Sequence, residues 1–368
     1  MSRAGKWFGA VGLLLVAGIA VLAYVLSHDA PCTTPAAAPP AGELMKAVVR
    51  SCYGTADVLR YEEVAKPAPG DDEVLVEVRA AALNPLDWHY MTGKPYVMRL
   101  ESGLGRPKSA RLGVDFAGTV AAVGRNVTGF KPGDEVLGSR FGAFAEYMVV
   151  AQDRALIPKP ARLSFEQAAA LPVAAITALQ GLRDKGRVQA GDRVLINGAS
   201  GGVGTFAVQI AKALGAEVTG VCSTRNVELV RSLGADHVVD YKLEDFTRGD
   251  RRYDLVIDNV GNHSLRDVRR VLEPDGTYVM IGGPKDELWL GPVLGFLAAP
   301  LMSKISSQSF EVLLAEMNAA DLRVLAGMID AGQVTPVIDR SYAFEEIPAA
   351  IGYLASQRAR GKVVAVRR

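Results

Sequence analysis

The organisation of this chain turns on an apolar run that ends in a glycine-rich turn, Val194-Leu195-Ile196-Asn197-Gly198-Ala199-Ser200-Gly201-Gly202-Val203-Gly204. An alanine-rich segment, Thr205 to Lys212, follows it, and a second apolar run, Glu217–Cys222, comes where a βαβ unit should deliver its next strand. This spacing predicts a dinucleotide-binding crossover. An ordinary tight strand-to-helix turn is the alternative, because Ala199 stands where the usual fingerprint has its first glycine.

Physical chemistry explains why glycine is needed at several positions of this turn. Gly201 and Gly202 lack a Cβ, so backbone amides at a helix N-terminus can approach a pyrophosphate, while Gly204 lets the helix pack closely on the strand. We therefore predict cofactor contacts from Ser200, Gly201, Gly202 and Val203.

Further strand candidates follow the glycine turn and alternate with helical segments, which predicts a parallel sheet covered by helices on both faces. The strand candidates are Glu217–Cys222, His237 to Asp240, Leu255 to Asn259 and Thr277 to Gly282. Ligands of such sheets bind beyond the carboxyl ends of the strands, so Ser223, Asn259 and Gly282 should line a cofactor groove. Ordinary strand-ending turns are the alternative at these positions.

The end of the second strand discriminates between nicotinamide cofactors. NAD enzymes place an acidic side chain there for the ribose hydroxyls, whereas this chain has Ser223, Thr224 and Arg225, two hydroxyls and a guanidinium suited to a phosphate. The pattern favours NADPH over NADH. Arg225 could alternatively be a solvated surface arginine.

The amino-acid composition and charge argue against several kinds of partner and site. The 368 residues are 49% hydrophobic with a formal net charge of +1, so the chain can bury a large core and its charge suggests no nucleic-acid partner. The three cysteines, Cys32, Cys52 and Cys222, look too scattered for a disulfide framework or a metal knuckle, and nothing requires an oxidising compartment. The four histidines are also far apart, so no metal site is predicted.

The amino-terminal segment is apolar from Trp7 to Leu26, about the length of a membrane-spanning helix. Arg3 and Lys6 precede it and predict an N-terminus that stays in the cytoplasm. We expect residues 1–44 to form a single-pass anchor and a Pro/Ala linker, which places the protein at a membrane. Met45 is an alternative start, and a chain that began there would be cytoplasmic.

The stretch from Met45 to about Ser164 alternates short apolar runs with turns and predicts an antiparallel, partly closed β-domain. One connecting segment, Ala82 to Tyr96, is unusually rich in polar aromatic residues. It is a functional loop in one interpretation, and a lid that packs Trp88 into the core in the other. A later apolar stretch, Leu288 to Leu297, leaves open a subunit interface of a homodimer, a substrate-pocket wall or a membrane contact.

The order of these pieces resembles the medium-chain dehydrogenase/reductase superfamily, in its zinc-free, quinone-oxidoreductase-like branch. The resemblance rests on Met45-Lys46-Ala47-Val48-Val49, Gly133-Asp134-Glu135-Val136, Gly142-Ala143-Phe144-Ala145-Glu146-Tyr147, the glycine turn and Leu233-Gly234-Ala235-Asp236. It implies an α/β chain in which a Rossmann NADP-binding domain, residues 165–332, is inserted into a GroES-like catalytic domain, residues 45–164 and 333–368. The active site would lie in the cleft between them.

Departures from the zinc alcohol dehydrogenases of this superfamily narrow the chemistry. Asn84 stands where they carry a cysteine, and Val114-Asp115 stands where they carry a histidine–glutamate pair. Val114 cannot ligate a metal, and without a Lewis acid simple alcohol dehydrogenation loses its usual mechanism. The resemblance instead implies NADPH-dependent reduction of a quinone or of an alkene conjugated to a carbonyl, with a small, hydrophobic, electron-poor substrate.

Position within the family implies roles for individual residues. Asn84 would hold the nicotinamide region with Thr177 beside it, and Tyr241 would pack near the adenine ribose phosphate. Hydride addition needs a proton source, and Tyr96 lies close to the position of the proton-donating tyrosine of related enoyl reductases. His89 and Tyr90 compete for that role, and each of these residues could instead be a buried aromatic.

Two other functions stay open alongside the quinone or enone reductase. One is an enoyl-thioester reductase, which would yield a saturated product from a thioester. The other is a sensor or structural module that binds NADPH without turning it over.

Overall fold

The computed structural model describes residues 17–32, 42–283, 288–289 and 291–367, without the side chains of residues 291–297. The strands are β1 (Leu44–Val49), β2 (Arg60–Ala65), β3 (Glu73–Leu83), β4 (Asp115–Val123), β5 (Glu135–Ser139), β6 (Tyr147–Ala151), β7 (Leu156–Pro158), β8 (Arg193–Asn197), β9 (Glu217–Cys222), β10 (His237–Asp240), β11 (Tyr253–Asp258), β12 (Leu272–Met280), β13 (Ser309–Val312), β14 (Ile338–Ala343) and β15 (Lys362–Val366). The helices are α1 (17–27), α2 (Pro85–Thr92), α3 (Arg99–Ser102), α4 (Phe165–Ala169), α5 (Pro172–Gln180), α6 (Gly202–Ala213), α7 (Val227–Ser232), α8 (Leu265–Arg269), α9 (Gly291–Ile305), α10 (Ala319–Asp330) and α11 (Ile347–Ala355).

The nucleotide-binding half is a six-stranded parallel sheet in the order β10-β9-β8-β11-β12-β13. Its central strand β8 is buried on both faces: Val194 and Ile196 point into one hydrophobic cluster and Leu195 into another. Helices cover both faces, as a buried parallel sheet requires, so the predicted α/β architecture is confirmed. Strand β13 at the sheet edge was not anticipated.

The other half is a seven-stranded sheet in the order β14-β15-β3-β4-β5-β7, with β6 paired to β3 and a separate β1–β2 pair beside it. Most of its neighbours run antiparallel, and only β14 and β15 are parallel. The last strand of the chain, β15, thus pairs with β3 from the first part of the chain. The exact domain bounds given above remain predictions.

The helical segment that precedes β8 is divided into three parts. α4 ends at Ala169, α5 begins at Pro172, and residues Gly181–Lys185 continue as a π-helical turn. Pro172 has no amide hydrogen to donate within a helix, so it is placed at the start of the second helix.

The two sheets share one hydrophobic core. Ala82 of β3 and Val364 of β15 belong to the same buried cluster as Leu171, Ile176 and Ile196 of the parallel half. The start of β15 also touches the glycine turn, because the Gly361 amide donates to the Ser200 carbonyl at 2.9 Å. The junction between the two sheets is therefore built from residues of both.

The amino-terminal region corrects one prediction and leaves another undecided. Cys32 and Cys52 form a disulfide with their Cα atoms 5.1 Å apart, so the expectation that the cysteines are too scattered to pair is wrong. Folding brings β1 and its following turn back beside the segment that precedes the linker, which spacing in the sequence does not reveal. No helix among the described residues is long and apolar enough to cross a membrane. The first part of the predicted span, up to residue 16, lies outside the described residues.

Candidate active site

The glycine turn leads into α6, a helix of 12 residues whose N-cap is Gly201. Gly201 supplies no side chain to cap the first-turn amides, which have no partners within the helix and can receive an anion. Gly204 has the predicted packing role: a Cβ there would lie 2.1 Å from the Gly198 carbonyl oxygen. A Cβ on Gly201 would meet nothing closer than 3.4 Å, so the space above the turn is open.

Asn226 links the glycine turn to the end of β9. Its Nδ2 donates to Ser200 Oγ at 2.9 Å and to Ser223 Oγ at 3.1 Å, which joins two predicted cofactor residues. Its Oδ1 is buried and has no hydrogen-bond partner among the described residues. Asn226 itself was not predicted as a site residue.

Asn259 occupies the equivalent place at the end of β11. Its Nδ2 donates to the Asn197 carbonyl at 3.0 Å, and its Oδ1 is a second buried acceptor that finds no partner in the described part of the chain. Gly282 is packed against it, since a Cβ on Gly282 would lie 2.1 Å from the Asn259 carbonyl oxygen. Two unpaired acceptors beside open helix amides fit a bound dinucleotide, whose hydroxyl and amide groups could donate to them.

The outer end of the groove carries the residues predicted to select the cofactor. Arg225 is exposed and donates to the Arg358 carbonyl at 2.6 Å, while Thr224 hydrogen-bonds Asp240 and holds the pKa of that carboxyl below its usual range. Tyr241 is 53% exposed, with Lys242 Nζ 5.2 Å from its ring centre. Lys242 adds a second cation near the predicted phosphate position. It is not among the predicted site residues, although it directly follows Tyr241.

A buried polar cluster lies where the two sheets meet, and it contains Asn84. Lys362 Nζ donates to Asn84 Oδ1 at 2.6 Å and lies 3.6 Å from Asp115 Oδ2, while Asn84 Nδ2 donates to Asp115 Oδ2 at 2.9 Å. Asn84 is 2% exposed and Asp115 is fully buried. The Asn84 side chain is thus committed to internal partners, and its proposed contact with the nicotinamide remains a prediction.

Asp87 completes this cluster. Its Oδ2 accepts from the Asn84 backbone amide at 2.8 Å at the start of α2. Burial raises the pKa of Asp87 from its ordinary 3.8 to about 7, and the neighbouring Asp115 carboxylate adds to the rise. An acidic residue three positions after an N-cap asparagine is a recognisable helix-start signal that could have pointed to Asp87, but nothing local connects Lys362 to this place.

Thr177 is tied to the same cluster through the start of α5. The Val173 amide donates to Asp115 Oδ1 at 3.1 Å, and the Thr177 hydroxyl donates to the Val173 carbonyl at 2.6 Å. Lys362 reaches the glycine turn as well, because a Cβ on Gly202 would lie 3.1 Å from its Cδ. Asn84, Thr177 and the turn are therefore brought together around Asp115 and Lys362.

The three candidate proton donors sit in different surroundings. Tyr96 packs edge-on against Trp289 with ring centres 4.7 Å apart, and its hydroxyl makes no hydrogen bond to a described residue. His89 donates from Nδ1 to the Lys94 carbonyl at 2.7 Å, which closes the end of α2. Tyr90 packs edge-on against Phe141 with ring centres 5.0 Å apart, and burial raises the pKa of its phenol. The Tyr96 hydroxyl is thus available for a further hydrogen bond, and its role as a proton donor remains a prediction.

Metal ligation finds no support in the residues present. Among the described residues there is no group of three His, Cys, Asp or Glu side chains able to hold a metal ion. At the position of the catalytic zinc ligands, Asn84 is bound to Lys362 and Asp115, and Val114 offers only an isopropyl group.

Comparison with known proteins agrees with this geometry. The family described as "Alcohol dehydrogenase GroES-like domain" matches residues 70–161, and the family described as "Zinc-binding dehydrogenase" matches residues 233–364. The 2-methylene-furan-3-one reductase of Solanum lycopersicum is 34% identical over 335 residues, covering 87% of this chain and 78% of that protein. The chloroplastic NADPH-dependent alkenal/one oxidoreductase of Arabidopsis thaliana is 33% identical over 335 residues, covering 87% and 79%.

Solved structures show the same architecture. The quinone oxidoreductase from Coxiella burnetii superposes with a TM-score of 0.77 at 30% identity, covering 89% of this chain and 100% of that one. Identity of this level along most of both chains, together with the shared fold, decides the family. The chain belongs to the medium-chain dehydrogenase/reductase superfamily, in its zinc-free, quinone-oxidoreductase-like branch.

Proposed function

We propose that this protein is an NADPH-dependent reductase of quinones or of alkenes conjugated to a carbonyl, working without a metal. The observation that carries the proposal is the combination of open α6 amides and two unpaired buried acceptors, Asn226 Oδ1 and Asn259 Oδ1, at the ends of parallel strands. Relatives whose names record alkenal/one and quinone oxidoreduction support the acceptor class.

The cofactor would lie along this groove. The pyrophosphate fits the amides of Gly202 and Val203, and the ribose phosphate fits the hydroxyls and cations of Ser223, Arg225 and Lys242. Bound NADPH supplies a hydride to an electron-poor carbon of the acceptor.

The chain's own residues would complete the reaction. Tyr96 is placed to donate its phenolic proton to the carbon or oxygen where negative charge develops, and solvent would return a proton to the phenolate. The Lys362–Asn84–Asp115 cluster would keep the cleft floor rigid and dry, since its polar atoms are buried and bonded to one another.

The test is NADPH oxidation by the purified full chain against quinones, enones and enoyl thioesters, with NADH as the control. We expect turnover with quinones or enones and a preference for NADPH. A saturated product from a thioester alone would assign an enoyl-thioester reductase, and tight NADPH binding with no turnover on any acceptor would assign a sensor.

Tyr96→Phe tests the proton donor within this function. We expect kcat on an enone to fall by about 10²-fold or more with NADPH binding unchanged, the scale of a lost general acid. Tyr90→Phe tests the competing donor of the same segment, and we expect its kcat to stay close to that of the unaltered protein. Equal activity of Tyr96→Phe and the unaltered protein would remove Tyr96 from the mechanism.

We also propose that the apolar segment from Trp7 to Leu26 holds the protein at a membrane, where a hydrophobic acceptor is plentiful. The proposal rests on its length, its lack of charge and the preceding Arg3 and Lys6. A homodimer formed through the Leu288 to Leu297 stretch stays a prediction.

A further inference from the structure

The N-terminal segment, residues 17–32, lies against the loop that carries Tyr96. We call residues 93–105 the Tyr96 loop. The Ala30 amide donates to the Gly105 carbonyl at 2.8 Å, and Leu26 is 7% exposed although it lies at the end of an otherwise exposed helix. The segment is therefore packed onto the candidate active site and does not simply extend from the chain.

Arg99 is the centre of this contact. Its side chain is 1% exposed, and its NH2 group pairs with Asp29 Oδ1 at 2.8 Å. Its NH1 group donates to the Leu26 carbonyl at 3.1 Å, and its Nε donates to the Gly93 carbonyl at 2.9 Å. A buried guanidinium is costly unless its charge and donors are satisfied. Here the N-terminal segment supplies the counter-charge and part of the acceptors.

The same guanidinium orients the candidate proton donor. Its Cζ lies 4.8 Å from the centre of the Tyr96 ring and 4.5 Å from that of Tyr53, within the range of cation–π attraction. Trp289 packs against Tyr96, and the Tyr96 amide donates to the Leu288 carbonyl at 2.8 Å. Tyr96 is thus held between Arg99 and the 288–289 segment.

The Cys32–Cys52 disulfide holds the N-terminal segment beside the Tyr96 loop. Cys52 directly precedes Tyr53, whose hydroxyl contacts Ser102 Oγ and the Gly103 carbonyl, each at 2.8 Å. Cys32 follows Asp29 by three residues, so the Cys32–Cys52 bond pins the stretch that satisfies Arg99 to the strand end that supports the Tyr96 loop. A covalent link of this kind restricts how far the segment can move away.

We propose that residues 26–32 are a positioning element of the substrate site: through Arg99 they hold the Tyr96 loop, and the Cys32–Cys52 disulfide holds them in place. Arg99 and Asp29 act through Tyr96 and are positioning residues. The expected effect on turnover rests on the proposed function. The expected effect on hydrogen exchange in the Tyr96 loop rests on packing alone.

The test compares Asp29→Asn and Cys32→Ser in the full chain, with Asp71→Asn as a control that breaks a similarly exposed ion pair, Asp71–Arg125, at 2.6 Å elsewhere. Both test variants should lower kcat about tenfold, a modest share of the loss that a misplaced catalytic group can cause. The Kd for NADPH should stay unchanged, and Asp29→Glu should recover most of the activity. Reduction of the unaltered protein with a phosphine should reproduce the Cys32→Ser effect and add nothing to it.

A double-mutant cycle separates positioning from general stability. If Arg99 acts through Tyr96, Asp29→Asn should have no further effect on kcat in a Tyr96→Phe background. A full, additive loss in that background would overturn the inference.

Hydrogen exchange provides a readout that needs no turnover. Peptides from residues 93–105 should exchange faster in Asp29→Asn and Cys32→Ser than in Asp71→Asn, while peptides from α6 should not change. Unchanged exchange in residues 93–105 would overturn the inference even if the reductase is active. Should Tyr96→Phe be fully active, the proposed proton donor is wrong, and exchange in residues 93–105 decides the inference by itself.

Discussion

At the scale of single residues, Asp87 carries a titration that the fold has moved toward neutral pH. It is fully buried, and burial raises its pKa from 3.8 to about 7. Between these values the unfolded chain has lost the proton while the folded protein keeps it. The folded state therefore binds more protons there, and the contribution of Asp87 to stability falls as pH rises through this window.

Asp87→Asn removes this titration and keeps an oxygen that can accept from the Asn84 amide. As pH rises from about 4 to about 7, we expect Asp87→Asn to gain stability relative to the unaltered protein, by roughly 1.4 kcal/mol of unfolding free energy per unit of pKa shift. Its melting temperature should rise relative to that of the unaltered protein over the same range. Thermal unfolding across that pH range measures it, with the exposed Asp71→Asn as control. A pH-independent difference would show that the Asp87 carboxyl does not titrate in this range.

Arg225 is the residue on which the predicted preference for NADPH depends most directly. Its guanidinium is exposed at the end of the groove, and a charge-assisted bond to a ribose phosphate would be lost in Arg225→Ala. We expect the Kd for NADPH to rise about tenfold with the Kd for NADH unchanged. Arg231→Ala, which removes an exposed arginine of α7, is the control. An unchanged ratio of the two affinities would show that Arg225 is a surface residue bound only to the Arg358 carbonyl.

At the scale of elements, the junction of β8 and α6 contains one glycine needed for packing, Gly204, and one predicted to bind the pyrophosphate, Gly201. A Cβ on Gly204 would lie 2.1 Å from the Gly198 carbonyl oxygen, so the helix would have to move away from the strand. A Cβ on Gly201 would meet only an ordinary contact at 3.4 Å, and its φ of −84° suits any residue. The two positions should therefore respond differently to the same methyl group.

Gly204→Ala should lower the free energy of unfolding by about 1 to 3 kcal/mol, the cost of overpacking. Gly201→Ala should leave the melting temperature of the cofactor-free protein unchanged and raise the Kd for NADPH about tenfold or more, because its methyl group would occupy the pyrophosphate cradle. Differential scanning fluorimetry and NADPH fluorescence measure the two effects. Unaltered NADPH affinity in Gly201→Ala would place the pyrophosphate elsewhere.

At the scale of the whole molecule, the N-terminal segment joins a proposed membrane anchor to the folded part. The disulfide is expected to persist only in oxidising surroundings, since reducing compartments keep thiols free. The state of Cys32 and Cys52 in cells therefore reports the surroundings of the catalytic part.

We expect the full chain to sediment with membranes and to resist extraction at alkaline pH, as a hydrophobic span of about twenty residues would. An alkylating reagent is added to intact cells and kept present during lysis and denaturation, so that buried free thiols also react. Cys222 should then be alkylated, whereas Cys32 and Cys52 should not. Cys32→Ser is the control, in which Cys52 becomes reactive. Release into the soluble fraction would contradict the anchor.

Local patterns in the sequence were sufficient to predict most strands and helices of the dinucleotide-binding half. Strand length, glycine spacing and helix composition act between residues close in the chain, so β8 and β9 were predicted nearly to the residue. Helix α6 was also predicted, but it begins three residues before the predicted start at Thr205. The break at Pro172 and the edge strand β13 were missed, because their positions depend on packing against neighbouring elements.

The candidate site also contains some residues that could be predicted from the sequence and others that could not. The residues of the glycine turn and of the strand ends, with Tyr96 and Asn84, could be chosen from motifs and family resemblance. Lys362 could not, since it meets Asn84 across 278 positions, and neither could the Cys32–Cys52 pair or the contact of Arg99 with Asp29. The sequence by itself determined the elements and the chemistry they carry. Tertiary structure alone decided which distant charges, thiols and rings share one buried space, because burial removes the water that would otherwise satisfy each of them separately.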